Sequence, residues 1–303
     1  MTTIRWGIVG AGRIAHTFAK DMPATSAGVV QAVAARSGAA AAAFAAEYSI
    51  PNVHEGYKTL YDDPEVDAVY VATPHTLHLQ NAGDALRAGK AVLCEKPITT
   101  TARECQQLIE IADKSSSYLM EAMWTWFLPA IRQAKRWVDE GRIGRLVQVK
   151  ADFGYPMEYA PDKREYDAAL AGGCLLEMGV YPVALAALFT AQDPNEISVV
   201  SRHAPNGVVP HTLETGGEDM PLHPSPGQPR CVFHQEGGMR IALREGVYRR
   251  HDAHLHGASP VGSSTAHRSL AVGERSSSAW NPAERVTTPE TPRAPPSRRQ
   301  LVQ

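Results

Sequence analysis

The sequence predicts an α/β fold: an N-terminal doubly wound parallel sheet, then a C-terminal α+β domain on an open, mostly antiparallel sheet that is incomplete in the readable sequence. Three observations predict it. Apolar, β-branched runs alternate with helix-length segments over residues 1–123. The first of those runs empties into Gly10-Ala11-Gly12. After Pro129 the order changes to a long helical stretch and then an alternating strand. Parallel strands covered on both faces read as continuous apolar runs, whereas half-exposed antiparallel strands alternate.

The first run, Ile4–Val9, is a strand. Gly10, Ala11 and Gly12 make a tight turn, and Ile14, Ala15, Phe18, Ala19 and Met22 then recur at helical spacing. Residues 29–35 are strand-like, 39–48 an alanine-rich helix, 68–72 a buried strand and 77–88 a helix. The strand Ala91–Cys94 leads into Glu95-Lys96-Pro97. Thr101 and Glu104 have the spacing of a capping box, and Cys105, Leu108, Ile109 and Ala112 mark the buried side of the helix it opens. Residues 118–123 supply the last strand of this sheet. The next segments are a helix over 130–140, an alternating strand over 146–153, a polar loop, a helix over 175–188 and a strand over 197–201.

A chain of 303 residues accommodates two domains, read here as 1–123 and 124–208. A net charge of -2 with both signs interspersed argues against a nucleic-acid surface, which needs clustered cations. Cys94, Cys105, Cys174 and Cys231 lack the short spacings of a zinc site or redox pair. The first apolar run is too short for a secretory segment, and no stretch is read as reaching the roughly 20 apolar residues of a membrane span. A cytoplasmic protein without a membrane partner is expected.

Residues 209–303 read differently. They hold 28 apolar residues in 95, no lysine, 11 arginines, 11 prolines and 7 of the 12 histidines, whereas the preceding 208 residues are about half apolar. Without a regular apolar period, and with proline at 221, 224, 226, 229, 289, 292, 295 and 296, this tail is expected to add little to a sheet. The expectation is a largely disordered or out-of-frame segment. A frame slip near Val208 in GC-rich DNA would write such a text; resequencing the gene tests that hypothesis, and an unbroken frame shared with intact relatives counts against it. His251, His254 and His256 lack a supporting carboxylate pattern, so no metal site is expected there.

The chemistry begins at Gly10-Ala11-Gly12-Arg13-Ile14-Ala15, which fits G-x-G-x-x-(G/A) between a buried strand and a helix. Small residues there let the backbone approach a dinucleotide's pyrophosphate at the helix N-terminus. Where an NAD enzyme places an acidic residue after the second strand, this chain has Arg36-Ser37. A guanidinium and a hydroxyl suit a 2′-phosphate, which favours NADP over NAD. Lys96 follows a strand's C-terminal end, where an ammonium can stabilise an alkoxide and pass a proton while hydride moves. Position alone leaves open that Lys96 is an ordinary turn lysine, and His75 and His78 read equally well as solvated residues.

The segments GAGRIA, ATPHTLH, AVLCEKP, MEAMWTWFLPA and GGCLLEMGVYPV, in this order, resemble the glucose-fructose oxidoreductase and inositol dehydrogenase (Gfo/Idh/MocA) superfamily. The likeness runs from Ile4 to Val208 and is strongest to its trans-dihydrodiol and NADP-dependent D-xylose dehydrogenase branch. The resemblance implies a catalytic Lys96, with Tyr181 as proton donor and acceptor. A phenol near an ammonium has its pKa drawn towards the working range. It also implies cofactor contacts from Thr73, Pro74, His75, His78, Glu95, Lys96 and Trp124, a substrate side formed by Glu177, Tyr181 and Trp126, and a homodimer. Two positions depart from the family pattern: Glu177 stands where Asp is usual, and Trp126 where relatives have Arg. Altered specificity or a reduced rate is expected from them. The function implied is NADP-dependent oxidation of a sugar or cyclic diol, or the reverse reduction. The alternatives are a catalytically silent dinucleotide-binding protein and a ligand-free scaffold.

Overall fold

The computed structural model describes residues 3–155, 157–209, 211–216 and 238–245. They fall into two compact units. One holds the chain up to Met123 together with Asp162–Glu177; the other holds Trp124–Pro161 and the described residues from Met178 onward.

The first unit is a six-stranded sheet, β1 (Ile4–Val9), β2 (Gly28–Ala35), β3 (Asn52–Glu55), β4 (Ala68–Val71), β5 (Ala91–Cys94) and β6 (Leu119–Glu121). Its order is β3-β2-β1-β4-β5-β6, with every neighbouring pair parallel. The connecting helices are α1 (Arg13–Asp21), α2 (Gly38–Tyr48), α3 (Lys58–Tyr61), α4 (His78–Arg87) and α5 (Ala102–Ser115). Strand alternation sorts the core into two layers. Val9, Ala32, Ala34, Val69, Val71, Val92 and Cys94 face one layer with Ala82, Ala85, Leu86 and Leu108 of α4 and α5. Ile8, Val33 and Tyr70 face the other with Ala15, Ala19, Phe44 and Ala45 of α1 and α2. The sequence reading missed β3 and α3. Strand β3 is four residues of edge strand, Asn-Val-His-Glu, with Val53 45% exposed, so it has no continuous apolar run to read.

The capping box holds with one shift. Thr101 Oγ1 accepts from Glu104 N (3.2 Å), and the Glu104 carboxylate reaches back to Thr100 N (3.1 Å).

The second unit contains α6 (Pro129–Asp139), β7 (Leu146–Gly154), α7 (Val180–Thr190), β8 (Ile197–Arg202), β9 (His211–Gly216) and β10 (Gly238–Glu245). Ile131 and Ala134 of α6 and Leu185 and Phe189 of α7 form its core, with Val149, Ala151 and Phe153 of β7 packed against them. Strands β7 and β10 pair antiparallel, as do β8 and β9.

Two expectations are corrected here. The tail does contribute strands, because Met239, Ile241 and Leu243 alternate with Arg240, Ala242 and Arg244, a short period-2 pattern hidden by the composition around it. The rest of the tail, including the three clustered histidines, lies outside the described residues. Further, the helical stretch Ala168–Thr190 is by length and composition apolar enough to cross a membrane. Within it, Tyr181, Leu185 and Phe189 are buried, and Glu177 carries an ion pair.

Candidate active site

Because all six strands of the first unit run in parallel, the turns after β1, β2, β4 and β5 emerge at one edge of the sheet, the edge where open α/β sheets bind ligands. After β1, Gly10 has φ +98 and donates its N–H to Ala34 O (2.9 Å). A Cβ added to Gly10 would lie 3.0 Å from Ala72 O and 3.3 Å from Thr73 Cγ2, so the turn requires glycine on both conformational and steric grounds. Gly12 is the N-cap of α1, and among the described residues no side chain caps that helix. The first-turn N–H groups are therefore available to an anion, and no acidic residue stands among them. Ala11, Arg13 and Ile14 complete the turn, with Ile14 43% exposed. These residues fit a dinucleotide diphosphate.

After β2, Arg36 is exposed, and its charge draws down the phenol of Tyr57, opposing the larger upward effect of burial. The hydroxyl of Ser37 accepts from Ala40 N (3.4 Å), so it caps α2. Glu55, at the end of β3, reaches the same place; its Oε2 would be 3.0 Å from a Cβ on Gly38. Neither Tyr57 nor Glu55 was read from the sequence.

After β4, Thr73 and His75 are buried on either side of Pro74, and Asn81 Nδ2 donates to Thr73 Oγ1 (3.0 Å). After β5, Glu95 accepts from the Tyr70 hydroxyl and from Lys96 N (3.2 Å). Lys96 Nζ donates to the carbonyl of Glu177 (2.6 Å). Burial holds the Lys96 ammonium below its ordinary pKa, opposed by Glu177 and Glu95. Burial likewise pushes the carboxyls of Glu95 and Glu121 up.

Glu177 arrives on the segment Asp162–Glu177, which folds as a compact loop with the first unit. Gly172 N donates to Asp167 O and Gly173 N to Glu165 O, both at 2.9 Å. A Cβ on Gly172 would stand 2.5 Å from Arg164 O, so the loop closes only on glycine. A wide turn, Leu175–Gly179, presents Glu177. Its carboxylate binds the guanidinium of Arg164, with His75 Nε2 at 3.7 Å. Burial opposes the charge, but Arg164, His75 and Lys96 outweigh it and hold the Glu177 carboxyl below its ordinary value. His75 shows the converse: burial drives it down to about 4, despite Glu177. Its Nδ1 is buried with no hydrogen-bond partner among the described residues.

The structure thus brings His75, Glu95, Lys96 and Glu177 into one cluster and adds Arg164. Arg164 lies in a polar loop 13 residues before its partner and in no motif, and only the Gly172-Gly173 pair marks the loop as tightly closed. For His78, which the sequence offers as a cofactor contact or a solvated residue, the structure overturns the solvated reading. Its side chain is fully buried, and both ring nitrogens face backbone carbonyls, Nδ1 towards Pro97 O and Nε2 towards Thr73 O, each at 2.8 Å. No polar atom of that ring is left to meet a ligand.

In the second unit, Tyr181 is buried, and its hydroxyl accepts from Trp124 Nε1 (3.0 Å), with the Phe153 ring edge-on at 4.8 Å. Trp126 Nε1 donates to Ala184 O (3.2 Å), so its indole N–H is used in holding α7.

A six-stranded parallel sheet with a glycine turn opening onto an uncapped helix defines a Rossmann dinucleotide-binding unit. Residues 4–123 match the family model described as the GFO/IDH/MocA oxidoreductase family with an NAD-binding Rossmann fold, and 131–220 match the GFO/IDH/MocA C-terminal domain. The chain belongs to this family, and its match continues past Val208. A trans-1,2-dihydrobenzene-1,2-diol dehydrogenase of Danio rerio is 40% identical over 198 residues, 64% of this chain and 58% of that protein. The D-xylose 1-dehydrogenase (NADP(+)) of Hypocrea jecorina is 36% identical over 201 residues, 60% of this chain and 51% of that protein. Among solved structures, a 3-ketoreductase from Actinomadura kijaniata in complex with NADP and TDP-benzene is 31% identical with a TM-score of 0.66, over 80% of this chain and 74% of that one. The chain spans 51–58% of the length of these two curated relatives.

Proposed function

We propose that this chain is an NADP(H)-dependent oxidoreductase acting on a hydroxyl or carbonyl carbon of a sugar or cyclic diol. The observation that carries the reading is the half-buried amine of Lys96, held at the ligand-binding edge of the sheet by Glu177 O, with His75 close enough to feel its charge. Bound there, the nicotinamide would accept or supply the hydride. The protein's share is the proton: the Lys96 ammonium stabilises the alkoxide and relays its proton. Tyr181 is assigned the role of proton donor and acceptor by resemblance to the dihydrodiol dehydrogenase branch. The uncapped first turn of α1 would hold the diphosphate, and Arg36 the 2′-phosphate. NADP in the 3-ketoreductase complex and in the name of the xylose dehydrogenase supports that preference. Turnover of D-xylose or a trans-dihydrodiol with NADP, followed at the nicotinamide absorbance, tests the reading.

A second reading, a dinucleotide-binding protein without turnover, rests on Glu177 and Trp126 standing where the family pattern has Asp and Arg. NADPH binding with no activity across a broad polyol and diol panel would select it.

A further inference from the structure

His78 is a buried titratable group that this chemistry does not use. The last backbone bond between the neighbouring strand ends is Glu95 N–H to Val71 O (3.0 Å). Past it the two chains diverge into the turn Thr73-Pro74-His75 and the turn Lys96-Pro97, and the ring of His78 spans them. Both facing atoms, Pro97 O and Thr73 O, can only accept. A neutral imidazole satisfies one and an imidazolium both, so a proton on this ring is always shared with one of the two turns.

The other end of the same peptide group is also held. Pro97 O faces His78 Nδ1, while Ile98 N–H donates to Glu121 Oε1 (2.8 Å) at the end of β6. The Pro97–Ile98 peptide plane, directly after Lys96, is therefore clamped at its oxygen from α4 and at its N–H from β6. Asn81, one turn further along α4, fixes Thr73. The charged and titratable groups facing Lys96 are Glu177, Glu95, Arg164, Glu121 and His75; those facing His78 are Lys96 and Arg164, with the His75 ring 5.7 Å away.

We propose that His78 is a positioning residue, which locks the peptide after Lys96 to the turn carrying Thr73 and His75 and thereby keeps the half-buried amine at its working position. The effect on turnover rests on the oxidoreductase reading; the effect on the amine does not. Losing the clamp lets the Lys96 loop relax towards water, and misplacement of a catalytic group by about 1 Å costs on the order of 100-fold in rate.

The test uses the full chain with His78→Ala and His78→Gln, the latter keeping one donor for one carbonyl. Circular dichroism checks folding, fluorescence titration gives NADPH affinity, and NMR of ¹³C-dimethylated lysines, with Lys96→Arg for assignment, follows the titration of Lys96. The expected result is a folded protein with NADPH affinity within about threefold of the parent. The Lys96 midpoint should rise towards the ordinary lysine range, and kcat should fall about 10- to 100-fold, less in His78→Gln. An unmoved Lys96 midpoint in a folded variant overturns the proposal, whether kcat is unchanged or falls together with cofactor affinity. Failure of both variants to fold also overturns it, since His78 would then be a core residue only. A raised midpoint in a protein that shows no turnover supports the clamp and rejects the oxidoreductase reading.

Discussion

The two units differ in how they meet water. In the first, each central strand is covered on both faces, and its residues sort cleanly into two packed layers. Among the described residues of the second, the core is a smaller cluster under α6, α7 and β7, and Ile197, Val199 and Val147 stand 63%, 56% and 47% exposed. The first unit therefore carries its own scaffold for the sheet-edge turns and the groups they bear. The comparison teaches that a site at the strand ends of a closed sheet is fixed by local burial, and that Tyr181 depends on a frame with fewer buried contacts.

The largest expected effect sharpens that contrast. Lys96→Ala should lower kcat about 10²- to 10⁴-fold with little change in NADPH affinity, as read by steady-state kinetics and fluorescence titration. Tyr181→Phe, which keeps the ring against Trp124 and Phe153, should cost about 100-fold. A large loss from the first with none from the second would assign the proton chemistry to the first unit alone.

Next in size is Gly10→Ala. It imposes a side chain at φ +98, against Ala72 O. A strain of about 1–2 kcal/mol should reduce NADPH affinity about tenfold and lower the melting temperature. Unchanged binding would mean that the diphosphate lies elsewhere.

How much of this was legible in the sequence follows the same division. The glycine turn, the strand before Lys96 and the capping box at Thr101 were readable because each is a local pattern with one physical solution. The edge strand β3 was not, since four half-exposed residues carry no periodic signal. Arg164 was not, because its partner Glu177 is brought to it by a loop whose closure depends on backbone contacts at Gly172. The partners of His78 were not legible, as spacing cannot tell a ring facing a ligand from one facing two carbonyls. Strands β9 and β10 were hidden by averaging composition over a long tail.

A further expected effect concerns pH. Burial lowers His75 to about 4 from an unfolded value of 6.5, so the unfolded chain takes up a proton that the folded one refuses. This contribution to stability is fully present above about pH 6.5 and is lost as pH falls towards 4. His75→Gln should flatten the decline of melting temperature across that window; an unaltered slope would mean that His75 titrates normally.

The most direct test of the central claim, that the glycine turn and Arg36 form an NADP(H) site, is fluorescence titration of the full chain and of Arg36→Ala with NADPH and NADH. Saturable binding is expected, with NADPH preferred and that preference falling about tenfold in the variant, the scale of one charge-assisted contact. No binding of either nucleotide, or equal losses for both in Arg36→Ala, would contradict the account.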